Sequence, residues 1–101
     1  MLILIPVEGR DEKLAKITTI AGRKRWAVVD FDQGEVQSVT FHDDRMETGH
    51  DFIDFVILEN KFENYLDFME EGMMVLIRRE EETIEDLIEA FKFKELDEAG
   101  I

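Results

Sequence analysis

Two histidines and several carboxylates lie close together in one polar segment near the middle of the chain. His42 and His50 carry imidazole nitrogens, which bind metal ions when they are neutral, and Asp43, Asp44 and Glu47 lie between them. Stable metal sites generally need three or four protein ligands, so neighbouring carboxylates would have to complete such a site. His50 is the first candidate for a metal ligand and His42 is the second. The alternative is a pair of exposed loop histidines that bind no metal.

The densest group of positive charge is the run Arg23, Lys24 and Arg25. Such a cationic rim could attract an anion to a chain whose net charge is -13. Lysine and arginine would contribute long-range attraction rather than coordination. The alternative is a solvated loop, or an internal counterweight to the acidic helices.

The chain lacks the residues that most catalytic mechanisms require. The chain has no cysteine, which excludes disulfides, thiolate ligands and a cysteine nucleophile. Ser38 is the single serine and falls in a strand pattern with no histidine placed beside it. Asp30 and Asp32 have strand-like spacing, but Asp32 belongs to a predicted turn, so a carboxylate pair for metal-dependent hydrolysis is not expected. We therefore expect a protein that is not an enzyme.

Length and charge restrict the class of partner. The 101 residues predict a single domain over residues 1–101. The first 50 residues carry a net charge of -2 and the remainder carry -11. Because so acidic a surface repels phosphate backbones, no nucleic-acid partner is expected. The acidic second half is interpreted either as a solubilising surface or as a docking face for another protein.

No membrane partner is expected either. The longest apolar runs, Met1–Val7 and Met73–Ile77, are much shorter than a bilayer requires. The chain enters a strand-like segment at once, without the features of a signal peptide. Together with the absence of cysteine, this favours a cytoplasmic location.

The elements that must position these residues alternate between strand and helix. A buried apolar run opens the chain, and two β-rich runs separated by Asp32-Gln33-Gly34 predict an antiparallel hairpin. The second half reads strand, helix, strand, helix, which predicts two parallel strands covered by helices. The predicted fold is α/β, with a mixed sheet of about five strands and a C-terminal βαβα arrangement. The expected strands are Leu2–Val7, Trp26–Phe31, Glu35–Phe41, Ile53–Leu58 and Met73–Arg78.

Two helices are predicted from apolar spacing and caps. The first spans residues 60–71, with Asn60 and Glu63 at capping-box spacing. The second spans residues 83–93 and is capped by Thr83. The expected buried residues are Phe62, Tyr65, Leu66 and Met69 in the first helix and Ile84, Leu87, Ile88 and Phe91 in the second.

In this order, the segments resemble the dinitrogenase iron–molybdenum cofactor biosynthesis family, whose members have a ribonuclease H-like fold. The opening Met1–Val7 run looks like the family's first strand, which commonly ends in Pro-Val, and Gly22-Arg23 looks like its Phe-Gly-Arg element. Residues 29–36 look like its central hairpin. Residues 72–75 and 83–91 look like its closing strand and helix.

The resemblance implies a non-catalytic accessory protein that carries an iron–sulfur or iron–molybdenum cluster precursor. It also implies a metallocluster donor or acceptor protein as partner, with the carrier itself a monomer or a homodimer. The implied cofactor-contacting residues are His50 as ligand, the glycines Gly49 and Gly22, and the basic residues Arg23, Lys24 and Arg25. His50 and His42 are the implied metal ligands.

Three departures from the family pattern count against cofactor binding. The connector over residues 42–52 has room for about one helical turn, where family members usually have a helix and often a stretch rich in histidine and glycine. Ile20 and Ala21 stand where the family often has histidine and phenylalanine, and isoleucine cannot bind iron. Residues 59–63 replace a loop that is rich in glycine and proline in many members. The alternative is a divergent member without cofactor binding, which acts as an acidic protein–protein interaction module. The acidic second half and the additional aromatic residues Phe55, Phe68 and Phe93 motivate it.

Overall fold

The computed structural model describes residues 1–99. Gly100 and Ile101, the end of the single domain predicted over residues 1–101, lie outside the described residues. The elements in chain order are β1 (Leu2–Val7), β2 (Arg25–Asp32), β3 (Glu35–His42), a 3₁₀ turn (Arg45–Glu47), β4 (Phe55–Leu58), α1 (Leu66–Glu70), β5 (Met74–Ile77), α2 (Ile84–Lys92) and β6 (Asp97–Glu98).

The strands form one mixed sheet in the order β3-β2-β1-β4-β5-β6. β1, β2 and β3 are antiparallel neighbours, whereas β1, β4 and β5 run parallel. The early hairpin, the parallel second half and the α/β class are thus confirmed. The finer assignment to a ribonuclease H-like topology stays a prediction.

The expected count of five strands is wrong, because a sixth strand closes the sheet. β6 pairs antiparallel with β5, with Leu76 opposite Glu98 and Ile77 opposite Asp97. Its two acidic side chains are exposed, so the segment has none of the apolar alternation that predicts a strand. Backbone pairing at a sheet edge, rather than side-chain burial, determines its conformation.

The two faces of the sheet have separate apolar cores. α2 packs over one face, where Ile84, Leu87 and Ile88 join residues of β1 and β2. α1 packs over the other face, where Phe68 contacts Trp26 edge to face at 6.0 Å between ring centroids. Because β1 is covered on both sides, Ile3, Leu4, Ile5 and Val7 are all fully buried.

α2 follows its sequence pattern closely. Thr83 is the N-cap, and its hydroxyl accepts a hydrogen bond from the backbone amide of Asp86 at 3.2 Å. Glu85 and Asp86 occupy the first turn, where negative charge stabilises the helix. Ile84, Leu87 and Ile88 are buried and Phe91 packs against the same core, as predicted.

The first predicted helix is wrong in its length and in part of its buried face, although Tyr65 and Met69 do pack against the core as predicted. α1 begins at Leu66, because the side chains of Asn60 and Asn64 accept hydrogen bonds from the backbone amides of Phe62 and Leu66. These local bonds compete with helix formation. Phe62 and Leu66, expected in the core, are 86% and 61% exposed, whereas Phe68, outside the predicted stripe, is buried.

The connector between β3 and β4 contains one 3₁₀ turn, in agreement with the single helical turn that its length allows. Asp44 caps it by accepting a hydrogen bond from the backbone amide of Met46 at 2.9 Å. Within residues 1–99, no helix is both long enough and apolar enough to cross a membrane.

We expect replacement of Leu87 by alanine to lower the free energy of unfolding by about 2–5 kcal/mol, because it leaves a cavity in a fully buried contact between α2 and the sheet. Urea denaturation measures the change. Glu89→Ala, on the exposed face of the same helix, is the control and should change stability by less than about 0.5 kcal/mol. Equal effects of the two substitutions would contradict the packing described here.

Candidate functional site

The main candidate site is a groove at the carboxyl ends of β1 and β4. These strands are parallel neighbours, and the chain leaves β1 toward β2 on one side and β4 toward β5 on the other. Such a reversal of strand order opens a crevice between the flanking loops, where ligands bind in many α/β proteins. The groove has a volume of about 640 Å³ and is lined by Thr19, Ile20, Ala21, Arg23, Trp26, Asp44, Arg45, Met46, Glu63, Asn64, Asp67 and Phe68.

The β1–β2 loop forms one wall of the groove through short-range hydrogen bonds. The Thr19 hydroxyl accepts a hydrogen bond from the amide of Gly22 at 3.0 Å. A Cβ atom at position 22 would lie 2.9 Å from that hydroxyl, so the turn favours glycine. Lys24 then joins the sheet by donating its amide to the carbonyl of Val7, at the end of β1, at 3.0 Å. Gly22 therefore shapes the wall.

Two arginines lie over aromatic rings in the groove. The guanidinium of Arg23 is 5.1 Å from the ring centroid of Trp26 and donates a hydrogen bond to the carbonyl of Ile20 at 2.7 Å. The guanidinium of Arg45 is 4.6 Å from the ring centroid of Phe68. These contacts hold both cations in place over an aromatic floor.

Arg45 also forms a bidentate ion pair with Glu71, with N–O distances of 2.9 and 2.7 Å. Hydrogen bonding from Arg45 lowers the pKa of the Glu71 carboxyl below its ordinary value, and the same bond raises the pKa of Arg45. The pair anchors the connector to the end of α1. It also neutralises part of the positive charge that Arg45 brings to the groove.

Glu63 occupies a set of backbone donors between the two walls. Its carboxylate accepts hydrogen bonds from the amide of Ile20 in the β1–β2 loop and from the amides of Glu59 and Asn60, the latter two at 3.2 and 3.4 Å. Three amides that converge on one carboxylate form an anion-binding arrangement. The chain thus fills this position with its own negative charge.

The rest of the predicted basic cluster points away from this groove. Arg25 is the first residue of β2 and lines a separate cavity with Arg10, Thr40 and Asp43. Lys24 is exposed. Of the three basic residues predicted as a rim, Arg23 alone is among those that line the groove.

The two predicted histidine ligands lie in different surroundings. The Nε2 atom of His42 is 2.8 Å from the hydroxyl of Thr40, near the carboxyl end of β1. His50, which follows Gly49 in a turn with φ +83°, lines a cavity of about 210 Å³ with Ile53, Glu71 and Met73, where β4 and β5 begin. In the part of the chain that the structure describes, no three histidine or acidic side chains are arranged to hold a metal ion.

The His50 cavity adjoins the groove, because Arg45 and Met46 line both, but His50 itself is not among the residues that line the groove. Sequence reasoning missed Trp26, Arg45 and Phe68 as groove residues, because their partners are far away in the chain. The spacing of Asn60 and Glu63 did signal a local bond between them. It gave no indication that Glu63 also contacts Ile20.

We expect Glu63→Ala to lower the free energy of unfolding by about 1–3 kcal/mol, because three amides lose their acceptor. Glu63→Gln should cost less, since its amide oxygen can still accept a hydrogen bond. Urea denaturation measures stability, and hydrogen exchange at Ile20 and Asn60 locates the change. Glu70→Ala, an exposed acid in α1, is the control; an equal loss there would contradict this role of Glu63.

We expect the ion pair between Arg45 and Glu71 to contribute to stability in a pH-dependent way. The folded pKa of Glu71 is lowered, so its contribution is complete above the ordinary value of 4.5 and is lost as the pH falls through the folded pKa. Glu71→Gln should therefore flatten the acid side of a plot of urea midpoint against pH. Glu70→Gln removes the same charge from the neighbouring residue, and a curve as flat as that of Glu71→Gln would argue against the pair.

Comparison with solved structures shows the same fold in proteins of low sequence identity. A candidate dinitrogenase from Methanocaldococcus jannaschii is 19% identical, with a TM-score of 0.77 over 99% of this chain and 95% of that one. A candidate NifB protein from Thermotoga, assigned to the DUF35 family, is 20% identical, with a TM-score of 0.71 over 96% and 91%. The apo form of the orange protein from Desulfovibrio gigas is 11% identical, with a TM-score of 0.73 over 98% and 92%.

No model of a known protein family matches the chain. No curated protein matches it either. Because every reported structural match is below 25% identity, the similarity shows the fold alone. At that level, the resemblance to the dinitrogenase iron–molybdenum cofactor biosynthesis family is confirmed: this chain shares its fold with structures named as a candidate dinitrogenase and a candidate NifB protein.

Proposed function

We propose that this protein is a non-catalytic accessory protein that holds a negatively charged iron–sulfur-type metallocluster, or its precursor, as cargo in the groove between the β1–β2 loop and α1. The observation that carries the proposal is the position of Arg23 and Arg45 on aromatic rings, in a crevice at the point where the strand order reverses. The names of the fold neighbours, which refer to dinitrogenase and NifB, support this class of function.

The donor set supports retention by charge and hydrogen bonding rather than by a cage of protein ligands. The chain has no thiolate to offer. Within residues 1–99, no three histidine or acidic side chains form a metal-binding group. Guanidinium groups instead donate hydrogen bonds to anions in a fixed planar geometry.

The acids in the groove limit how tightly an anion is held. Asp44, Glu63 and Asp67 line it together with the two arginines. Like charge weakens binding of an anionic cargo, which suits reversible transfer to or from a partner protein more than permanent storage. The partner would be a metallocluster donor or acceptor.

We expect the protein to retain iron, or iron with molybdenum, after anaerobic incubation with a cluster donor and desalting. Arg23→Gln should weaken retention about tenfold, the effect of losing one charge-assisted hydrogen bond. Arg10→Gln is the matched control, because Arg10 is exposed and lines a different cavity. Metal analysis and an absorption spectrum give the readout.

Three outcomes would count against this assignment. Absence of retained metal in a folded wild-type protein would overturn the carrier function. Equal retention by the Arg23 variant would remove the groove as the site. Loss of metal in His50→Ala alone would move the cargo to the cavity beside Glu71 and Met73.

A second candidate function is an acidic protein–protein interaction module without cofactor. It is favoured by exposed apolar side chains at and beside the groove, since Met46 is 71% exposed and Phe62 is 86% exposed. Exposed apolar groups of this kind are typical of protein contacts. Light scattering coupled to size-exclusion chromatography tests the homodimer version, and a strict monomer over a wide concentration range would remove it.

A further inference from the structure

Another cavity lies on the α2 face of the sheet, where β4 and β5 begin. It has a volume of about 490 Å³, within the range of small-molecule sites. Phe31, Phe55 and Phe91 line it, and Phe91 packs edge to face against the other two at 5.6 and 5.0 Å between ring centroids. Their rings give the cavity an apolar floor.

Lysines at the carboxyl end of α2 give this cavity a cationic rim. Lys92 and Lys94 both line it, and Glu98 is the one acid among its described lining residues. An excess of lysine over acidic residues is unusual on a chain with a net charge of -13. Lys92 also lies in the last turn of α2, where a cation stabilises the helix end in any case. Lys94 lies beyond that turn, so stabilisation of the helix end does not explain its positive charge.

Lys94 occupies a backbone position that favours glycine. Its φ is +56°, and it follows the helix as the left-handed residue of a Schellman-type end, with the amide of Glu95 donating to the carbonyl of Ala90 at 2.9 Å. A side chain with a Cβ atom is disfavoured there relative to glycine. The chain thus has a cationic side chain lining the cavity at a position where the backbone favours glycine.

We propose that this cavity binds an organic carboxylate with an apolar body, whose carboxylate contacts Lys92 and Lys94 while the body lies among the three phenylalanines. Charge complementarity selects an anionic head, and the aromatic floor selects an apolar body. This proposal is independent of the cluster-carrier function, because the two cavities share no lining residue.

The test uses the fluorescent probe 8-anilinonaphthalene-1-sulfonate, an apolar aromatic anion, displaced by dodecanoate below its micellar concentration. We expect saturable binding at one site per chain, and displacement by dodecanoate at a concentration at least tenfold lower than by dodecyltrimethylammonium. The two competitors have the same alkyl chain and opposite charge. Competition by 3-phenylpropanoate then distinguishes an aromatic body from an aliphatic one.

Lys94→Gly separates binding from folding. It relieves the left-handed strain, so the thermal midpoint should rise by a few degrees, while dodecanoate binding should weaken about tenfold through the loss of a charge-assisted contact. Lys61→Gln removes the same charge outside the cavity and should leave binding within twofold. Met74→Glu introduces a carboxylate at a half-exposed lining position and should also weaken binding.

Three results would overturn the proposal. Absence of saturable probe binding to the folded wild type would exclude the site. Equal displacement by the two competitors of opposite charge would show an apolar surface without anion selectivity. Wild-type dodecanoate affinity in Lys94→Gly would remove the cationic rim from recognition.

Discussion

The parallel pairing of β1 with β4 is the contact on which the rest of this fold depends. It joins the antiparallel hairpin half of the chain to the βαβα half, with Ile3 opposite Phe55 and Leu4 opposite Val56. Asp54 strengthens the start of this ladder: its carboxylate accepts a hydrogen bond from the amide of Leu2 at 2.8 Å, and its own amide donates to the carbonyl of Leu2 at 3.1 Å. Because the chain departs in opposite directions on the two sides of this pair, a crevice opens at its carboxyl end.

That crevice is shaped by a competition between opposite charges. Arg23 and Arg45 are held on aromatic rings, but Glu71 neutralises part of Arg45, and Glu63 takes three amides that could otherwise face an external anion. These bonds stabilise the loops at the same time as they reduce the positive potential of the groove. One set of contacts therefore links loop stability to affinity for an anion.

The two faces of the sheet differ in how completely they are covered. α2 has nine residues and buries a regular stripe, yet its carboxyl end stops short of the strand starts and leaves an aromatic cavity there. α1 has five residues, and the other face is completed by the connector, where Arg45 contacts both Phe68 and Glu71. Short covering elements thus account for the groove and for the aromatic cavity.

The sequence by itself determined the strands and the helix in which buried residues recur at regular spacing or in continuous apolar runs. Alternation and apolar runs identify the five long strands, and the spacing of Ile84, Leu87 and Ile88 with the Thr83 cap identifies α2, because these signals are local. The sequence patterns did not predict β6 or the true extent of α1. In those segments, backbone pairing at a sheet edge and side-chain bonds from Asn60 and Asn64 decide the conformation.

The tertiary structure alone decided which candidate residues are neighbours. From sequence, His50 and the basic run from Arg23 to Arg25 form one candidate cluster site. In the fold, Arg23 lines the groove, whereas His50 lines a neighbouring cavity that shares only Arg45 and Met46 with it. Sequence spacing cannot give this result, because the length of a strand and the path of a connector separate residues in space. The same reason hides the meeting of Glu63 with Ile20, which are 43 residues apart in the chain.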